Sequence, residues 1–311
     1  MNFQLYDING PIDAIHEDTA ITVGVFDGVH LGHQHLLEQL STLEPHLAPL
    51  AVTLTSHPSF VLGRRNSEYW LDDPDEHLSL LFFAGVKYVA VLPFTCEVAR
   101  MSACEMASLL HKELNMRSLL LGYDSRFGSK QNDDFDRLPR LAGELGFTLH
   151  RGEPYLVDGE PISSSRIRQA LLAGDVVTTE NLLGHPYRIE GRVVHGRGVG
   201  HTLGFPTANV SLESTRKMLP KEGVYSVCVS ADFCEPMICY GMANLGAAPT
   251  FGIEKPMLEV HLIDFDGDLY GHRIEVELRY RMRDIVHFDS PEALHAQLQK
   301  DLESCIHPWT N

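Results

Sequence analysis

The chain has 311 residues, of which 44% are hydrophobic and 22% charged, and its formal net charge is −17. The length fits two domains, and the composition excludes a disordered or fibrous protein. The charge disfavours nucleic acid and anionic membranes as partners, and we see neither a signal peptide nor a run near the roughly 20 apolar residues of a membrane helix. We expect a cytoplasmic protein that is a monomer or a weak homo-oligomer.

The first half of the chain alternates short aliphatic runs with longer segments of helical period. This alternation is typical of a parallel sheet whose strands are joined by crossover helices. We therefore expect an α/β doubly wound domain over residues 1–183. The strand and helix pairs are TAITVGVF with HQHLLEQLSTL, LAPLAVTLTS with DEHLSLLFFAG, KYVAVLPF with EMASLLHKELN, and RSLLLGY with FDRLPRLAGELG.

The pattern changes near Gly184. Residues 184–311 contain short strand-like runs separated by Gly, Pro and Asp turns, a pattern typical of a small antiparallel barrel or sandwich. Ser290 as N-cap and Pro291 at the first helical position then predict a terminal helix. The strand-like runs are YRIEGRVVH, GVYSVCVS, MICYGMAN, LEVHLIDF and RIEVELRYRMR.

The segment TVGVFDGVHLGHQHLL joins the first predicted strand to its helix. Gly24 and Gly28 leave room for a phosphate to approach backbone N–H groups, and the following helix N-terminus favours an anion. His30 and His33 are three residues apart, so two imidazoles can donate hydrogen bonds to one developing oxyanion. Two alternatives stay open for these histidines: a zinc site, which needs a third ligand, and polar decoration of a helix start.

A second motif, ISSSRIR, follows about 130 residues later and offers hydroxyls, backbone amides and arginine to a triphosphate. The H-x-G-H spacing together with this motif resembles the nucleotidyltransferase superfamily, whose Rossmann-like α/β domain transfers a nucleotidyl group from a nucleoside triphosphate. The resemblance implies catalytic roles for His30 and His33. It also implies ATP binding by Gly24, Phe26, Asp27, Gly28, Ser163, Ser164, Ser165 and Arg168.

Between these motifs, LLLGYDSRFGSKQNDDF resembles the G-x-D-F-R-F-G segment of bacterial FAD synthetases. The whole N-terminal half is similar to the adenylyltransferase domain of that family. The resemblance implies flavin contacts at Asp124, Arg126 and Phe127. Ser125 and Asn132 depart from the pattern, which usually has Phe and Gly there, and a flexible loop without a ligand is the alternative.

The segment HGRGVGHTLGFPTANV is rich in glycine but continues into an extended chain at its Phe-Pro pair, so it is not a dinucleotide fingerprint. Such spacing predicts a loop that folds over phosphates. Thr207 and Asn209 alternate, so both point to one side, where two oxygens could hold a Mg²⁺ that keeps most of its waters. The alternative is two solvent-facing polar residues. We expect ATP contacts from Gly196, Gly198, Gly204 and Pro206.

Segments of the second half follow the order found in bacterial riboflavin kinases, and the whole chain resembles the bifunctional bacterial riboflavin kinase/FAD synthetase family. The resemblance implies a six-stranded antiparallel Greek-key barrel with a terminal helix, ATP with Mg²⁺ at Thr207 and Asn209, a general base at Glu259 and a flavin contact at Arg283. The matching segments are LGHPYRIEGRVVHG, GFPTAN, LPKEGVY, GMANLGAAPTF, LEVHLIDFDGDLYG and RYRMRDIVHFDSPEAL.

The physical interpretation of Glu259 agrees with the resemblance. Glu259 and His261 share one face of a predicted strand, so the carboxylate is held rigidly and could take the proton of the ribityl 5′-hydroxyl. The alternative for Glu259 is an exposed glutamate on a strand without a catalytic role. The alternative for Arg283 is a salt bridge on the barrel surface.

The resemblance implies two ATP-dependent reactions: phosphorylation of riboflavin to FMN, and adenylylation of FMN to FAD with release of pyrophosphate. His201 stands where the family usually has Arg or Lys, and Ala248 stands where it usually has Arg. Both departures reduce the positive charge near the kinase phosphates or the flavin entry. These departures keep open an FMN adenylyltransferase with weakened or lost kinase activity. A non-catalytic flavin- or nucleotide-binding regulator is the third interpretation.

Overall fold

The computed structural model describes residues 3–55, 69–125, 127–129, 134–196, 200, 204–213, 215–231, 237–248 and 253–306. These residues belong to two compact units, Met1–Ser164 and Ser165–Asn311, which we treat separately. Four positions with sequence-based predictions lie outside the described residues, namely Arg126, Asn132, Gly198 and His201. The side chain of Ala248 is likewise not described.

A seven-stranded sheet forms the centre of the first unit. Its strands are β1 Gln4–Asp7, β2 Gly10–Ile12, β3 Thr19–Val23, β4 Ala48–Leu54, β5 Tyr88–Leu92, β6 Met116–Leu121 and β7 Thr148–Arg151, and a separate hairpin consists of β8 Leu156–Val157 and β9 Glu160–Pro161. The strand order is β2-β1-β5-β4-β3-β6-β7, and β3 to β7 pair in parallel as predicted. The pair β1–β2, which the sequence did not predict, adds antiparallel strands at one edge.

Helices cover both faces of this sheet. They are α1 Leu31–Leu43, α2 Pro74–Phe83, α3 Ala103–Glu113 and α4 Leu138–Leu145. In β3 the neighbours Ala20 and Ile21 point to opposite faces. Ala20 belongs to a buried cluster with Leu37 of α1, whereas Ile21 belongs to another with Leu110 of α3. This layering confirms the predicted doubly wound α/β fold.

The strand order creates a topological switch point between β3 and β6. The chain runs from β3 to β4 and β5 on one side, and then crosses to the other side of β3 to form β6. In open α/β sheets, ligands bind beyond the carboxyl ends of the strands at such a point. The loops after β3 and β6 are therefore where a ligand site of this unit is expected.

The second unit contains the closed antiparallel barrel that the sequence predicts. Its strands are β10 Tyr187–Val194, β11 Ala208–Ser211, β12 Gly223–Ala231, β13 Met237–Ala248, β14 Ile253–Leu262 and β15 Arg273–Arg283. They close in the order β10-β11-β14-β13-β12-β15, and every pairing is antiparallel. Inward-facing side chains such as Ile189, Tyr225 and Val260 fill the barrel.

Helices flank the barrel at both ends of the unit. Helix α5 Ser164–Ala173 starts at the last residue of the first unit, α6 Val176–Leu183 packs against β10 and β15, and α7 Pro291–Ile306 packs against β13. The N–H of Ala293 donates to the hydroxyl of Ser290 at 3.2 Å, which confirms the predicted N-cap of α7. Among the helices of the described residues, we find none with the length and apolar composition to cross a membrane.

Candidate active sites

The loop between β3 and α1 lies at the switch point and has a constrained backbone. A Cβ at Gly24 would lie 2.9 Å from the ring of Phe26, so the missing side chain makes room for this ring. Phe26 and Val29 adopt φ angles of 50° and 35°, in the left-handed region that such residues rarely enter. Strain of this kind persists where the surroundings fix it, and it concentrates at functional sites.

His30 and His33 are brought together at the start of α1. His30 is the N-cap, and its Nδ1 accepts the backbone N–H of His33 at 3.3 Å. The two rings stack with centroids 3.6 Å apart, and Phe26 meets His33 edge-on at 5.3 Å. Because Nδ1 of His30 is an acceptor, a neutral His30 carries its proton on Nε2. The pair therefore presents N–H donors at a helix N-terminus.

Both histidines are held in the neutral form. Burial lowers the pKa of His30 to about 4. Burial first, and then the charges of His30 and His77, lower the pKa of His33 well below its usual range. Nδ1 of His33 is buried and has no hydrogen-bond partner in the described part of the chain. Neutral imidazoles suit hydrogen-bond donation to a phosphate better than proton uptake.

The described residues contain no group of three or more His, Cys, Asp or Glu side chains that could hold a metal ion. His35, the third histidine of the motif, lies on another part of α1, where it contacts Tyr155 and Glu38. Within the described part of the first unit, His30 and His33 thus form a pair of donors without a ligand cage around them.

The start of the ISSSRIR motif lies against the glycine-rich loop. The hydroxyl of Ser164 donates to the carbonyl of Asp27 at 3.4 Å, and both residues belong to the first unit. Ser163 is exposed just before α5, and Ser165 and Arg168 lie in the first turns of that helix, within the second unit.

A segment that the sequence did not single out also clamps this loop. The carboxylate of Asp27 accepts the N–H of Leu71 at 2.7 Å, and the carboxylate of Asp72 accepts the N–H of Gly28 at 3.0 Å. Both carboxylates are buried. Asp27, predicted as an ATP-binding residue, thus shapes the loop from within. The reciprocal bonds depend on a fold-back of the chain, which no local pattern reveals.

The loop after β6 was predicted to contact flavin. Phe127 is only 7% exposed and packs in the hydrophobic core, so its ring does not present a free face. Tyr123 in the same segment is exposed. Arg151, which the sequence analysis missed, donates to the carbonyl of Gly122 at 2.9 Å and lies over the ring of Phe135 at 5.4 Å. It stands at the end of β7, a strand too short to predict.

In the second unit, the candidate metal ligands Thr207 and Asn209 lie on one side of the chain entering β11. A Cβ at Gly196 would overlap the amide of Asn209, and a Cβ at Gly200 would overlap the carbonyl of Phe205 and lie 3.2 Å from the Thr207 hydroxyl. Glycine therefore lets the preceding loop pack directly on both oxygen donors. A hydroxyl and an amide fit Mg²⁺, which takes few protein ligands and the rest from water and phosphate.

Glu259 stands in a row of polar side chains on the outer face of the barrel. On strand β14, Glu259 lies directly opposite Asn209 of the neighbouring strand β11 and opposite Asn244 of the other neighbour, β13. Directly opposed residues have Cβ atoms about 4.5–5.5 Å apart, so the three side chains are neighbours. Burial raises the pKa of Glu259. The sequence analysis missed Asn244, because only the register of β13 and β14 reveals its place.

The extended segment before Thr207 is anchored to β14. The carbonyl of Pro206 accepts a hydrogen bond from Nδ1 of His261 at 2.8 Å. The buried Phe205 contacts the ring of His261 at 5.2 Å and that of His295, on α7, at 5.5 Å. The candidate ATP residue Pro206 thus fixes the chain that presents Thr207.

A cavity of about 290 Å³ adjoins Thr207, and Val193, Val260, Leu269 and Tyr270 are among its lining residues. The ring of Tyr270 stacks on that of His195 with centroids 3.9 Å apart. The volume is close to the lower end of ligand pockets, roughly 300 Å³. Its aliphatic side chains and the ring of Tyr270 suit a flat heterocycle.

Arg283 forms an ion pair with Asp301 of α7. The guanidinium Nε lies 3.0 Å from both carboxylate oxygens, and Nη2 lies 2.6 Å from Oδ2. Asp301 is only 4% exposed. The alternative considered for Arg283, a salt bridge, is therefore present, and it ties the terminal helix to the barrel.

Two protein-family models match the chain in succession. The FAD synthetase model matches residues 12–166, and the riboflavin kinase model matches residues 183–307. The first contains the histidine pair and the second contains the row around Glu259. The order of the two models along the chain is the order that the motifs predicted.

Relatives match over nearly the whole length. The bifunctional riboflavin kinase/FMN adenylyltransferase of Haemophilus influenzae is 38% identical over 92% of this chain and 92% of its own. The Bacillus subtilis protein of the same description is 34% identical over 98% of each. A crystal structure described as a macrolide-efflux protein from Streptococcus pneumoniae has a TM-score of 0.85 and 32% identity, covering 94% of this chain and 95% of that one. The chain therefore belongs to the bifunctional riboflavin kinase/FMN adenylyltransferase family.

Proposed function

We propose that the histidine-pair site of the first unit transfers the adenylyl group and that the site around Glu259 transfers the phosphoryl group. The family assignment gives the two reactions: the enzyme phosphorylates riboflavin to FMN and adenylylates FMN to FAD. We assign FMN adenylylation to residues 1–183 and riboflavin phosphorylation to residues 184–311, an assignment that the two family matches support. The observation that carries this division is the pair of separate sites with opposite chemistry, one of neutral donors and one with a carboxylate base.

In adenylyl transfer, a phosphate oxygen of FMN forms a bond to the α-phosphorus of ATP, and the bond from that phosphorus to the pyrophosphate oxygen breaks. The FMN phosphate is already ionised near neutral pH, so no strong base is required. His30, with Nε2–H as donor, and His33 stabilise the charge that develops on the α-phosphate. The glycine-rich loop, with Ser163 and Ser164, holds the remaining phosphates, and ATP contacts by Ser165 and Arg168 stay predictions.

In phosphoryl transfer, the ribityl 5′-oxygen forms a bond to the γ-phosphorus, the bond to the β-phosphate oxygen breaks, and ADP leaves. Glu259 accepts the hydroxyl proton, and its raised pKa makes it a stronger base than an ordinary carboxylate. A Mg²⁺ held by Thr207 and Asn209 would neutralise charge on the phosphates. The loop with Gly196, Gly198, Gly204 and Pro206 covers these phosphates, and the cavity beside Thr207 takes the base of ATP.

Flavin contacts by Asp124, Arg126 and Arg283 stay predictions, and Phe127 contributes through packing. The cytoplasmic location, the lack of a nucleic-acid partner and the monomeric or weakly associated state also stay predictions. Arg283 would contact flavin only with the guanidinium edge that Asp301 leaves available.

The test uses purified enzyme with separated flavin products. His30→Ala and His33→Ala should lower FAD formation from FMN by about 10²- to 10³-fold, the usual effect of removing one oxyanion donor. FMN formation from riboflavin should stay within about twofold, and His35→Ala, on the same helix, is the matched control. Equal loss of both activities, or no loss of either, would contradict the assignment.

A further inference from the structure

His77 on α2 bridges two groups that hold the glycine-rich loop. Its Nδ1 lies 2.7 Å from Oδ2 of Asp72, and its Nε2 lies 3.0 Å from the hydroxyl of Thr53. Asp72 in turn accepts the N–H of Gly28 at 3.0 Å, and Thr53 donates to the carbonyl of Val25 at 3.2 Å. The side chains of His77 and Asp72 are 12% and 1% exposed. A buried bridge thus reaches the loop at two points.

The hydrogen bonds assign the protons of this bridge. A threonine hydroxyl has one hydrogen, and when this hydrogen goes to the carbonyl of Val25, the oxygen of Thr53 accepts the N–H of His77. An ionised Asp72 accepts only, so the other ring nitrogen also carries hydrogen. This arrangement of hydrogen bonds corresponds to an imidazolium at His77, with a hydrogen on each ring nitrogen.

The charges around His77 agree with this assignment. Burial lowers the pKa of His77, but the charge and hydrogen bond of Asp72, followed by the charges of Asp27 and Glu76, raise it, and the net shift is upward. In the opposite direction, the charge of His77 helps to lower the pKa of His33. A charged His77 behind the glycine-rich loop therefore favours the neutral form of His33 at the start of α1.

We propose that His77 is a positioning residue for FMN adenylylation, an imidazolium that joins Asp72 to Thr53 and so fixes the loop that aims His30 and His33. The inference rests on the proposed role of the histidine pair. His77 acts through Gly28 and Val25, at either side of the strained Phe26, so its loss should misplace the donors. Misplacement by about 1 Å can cost about 100-fold in rate.

The first experiment compares His77→Gln and Thr53→Val with the parent enzyme. Both variants should lower kcat for FAD formation from FMN by about 10- to 100-fold with a smaller change in KM for ATP. FMN formation from riboflavin on the same chain is the internal control, and His46→Gln, an exposed histidine of the same unit, is the matched variant.

The pH profile separates positioning from a structural role. In the parent enzyme, FAD formation should fall as pH rises through the raised pKa of His77, because the bridge then loses a proton. The alkaline decline should disappear in His77→Gln, at a uniformly lower rate. The proposal would be overturned if His77→Gln had the same pH profile as the parent enzyme and lost activity only in proportion to its unfolded fraction.

A spectroscopic readout is independent of activity. In ¹⁵N-histidine spectra of the full chain near neutral pH, the signals absent from His77→Gln should show both ring nitrogens protonated. A neutral tautomer at His77 would overturn the proposal. If His33→Ala loses FAD formation and His77→Gln does not, the bridge fails while the site stands; if neither variant loses it, the proposed function fails.

Discussion

Burial shifts the pKa of the two groups proposed to act in catalysis. The pKa of His30 falls to about 4, and the pKa of Glu259 rises, because a site poor in water disfavours the charged form of each. The consequences differ with the chemistry. A neutral imidazole donates hydrogen bonds to a phosphate that is already ionised, whereas a carboxylate with raised pKa becomes a better proton acceptor. One physical cause thus serves an electrophilic site and a basic site.

Glu259→Gln tests the basic site. The amide keeps the size of the side chain but cannot take the ribityl proton, so FMN formation should fall by about 10²- to 10⁴-fold. FAD formation from supplied FMN should be unchanged. The control is Glu190→Gln, a barrel glutamate that pairs with Arg273 at the surface. Separated flavins give both rates in one assay, and retained FMN formation in Glu259→Gln would exclude the base.

At the scale of elements, the N-cap of helix α1 is His30, a residue to which we assign a role in catalysis. Histidine is not among the preferred N-caps, which are Ser, Thr, Asp and Asn. The folded-state pKa of His30, about 4, lies below the ordinary 6.5. Its contribution to stability is therefore complete above about pH 6.5 and is lost as pH falls toward about 4.

His30→Asn should separate the stability of α1 from its chemistry. Asparagine is a favoured cap and does not titrate, so the variant should lose about 2 kcal/mol less stability between pH 7 and pH 5 than the parent enzyme. FAD formation should still be lost. Urea unfolding at the two pH values measures the difference, with His46→Asn as the exposed control. An unchanged pH dependence would show that His30 is not the titrating group.

The elements differ in how far the sequence predicts them. Four strand and helix pairs of the first unit, five of the six barrel strands and the terminal helix follow from periodicity and capping residues, which are local. The sixth barrel strand, β11, was not among the predicted runs. The β1–β2 pair and β7 are short, and their strand character comes from pairing with neighbours. The row of Asn209, Glu259 and Asn244 requires a register between distant strands. The bridge at His77 requires α2 to fold back on the loop, which is equally non-local.

At the scale of the whole molecule, a chain with net charge −17 handles substrates that are themselves anions. The general field repels ATP and FMN, so attraction has to come from local groups. Under the proposed assignment, these groups in the first unit are backbone N–H groups, neutral imidazoles and the cation at His77. In the barrel they would be the oxygen ligands for a Mg²⁺ that accompanies ATP. Each unit has its own buried core, and the proposed sites give each unit its own groups for this purpose.

Separate sites predict that two inactive variants complement each other in solution. His33→Ala should still make FMN from riboflavin, and Glu259→Gln should still convert FMN to FAD, so their mixture should form FAD where neither does alone. Because FMN must leave one molecule and bind another, FAD should appear after a lag, and the lag should shorten as the His33→Ala protein is increased. Separation of the flavins at successive times measures the lag. The control is a protein that carries both substitutions on one chain, used at the same total concentration. Failure of the mixture while FMN accumulates would show that FMN released by one molecule does not reach the adenylyltransferase site of another.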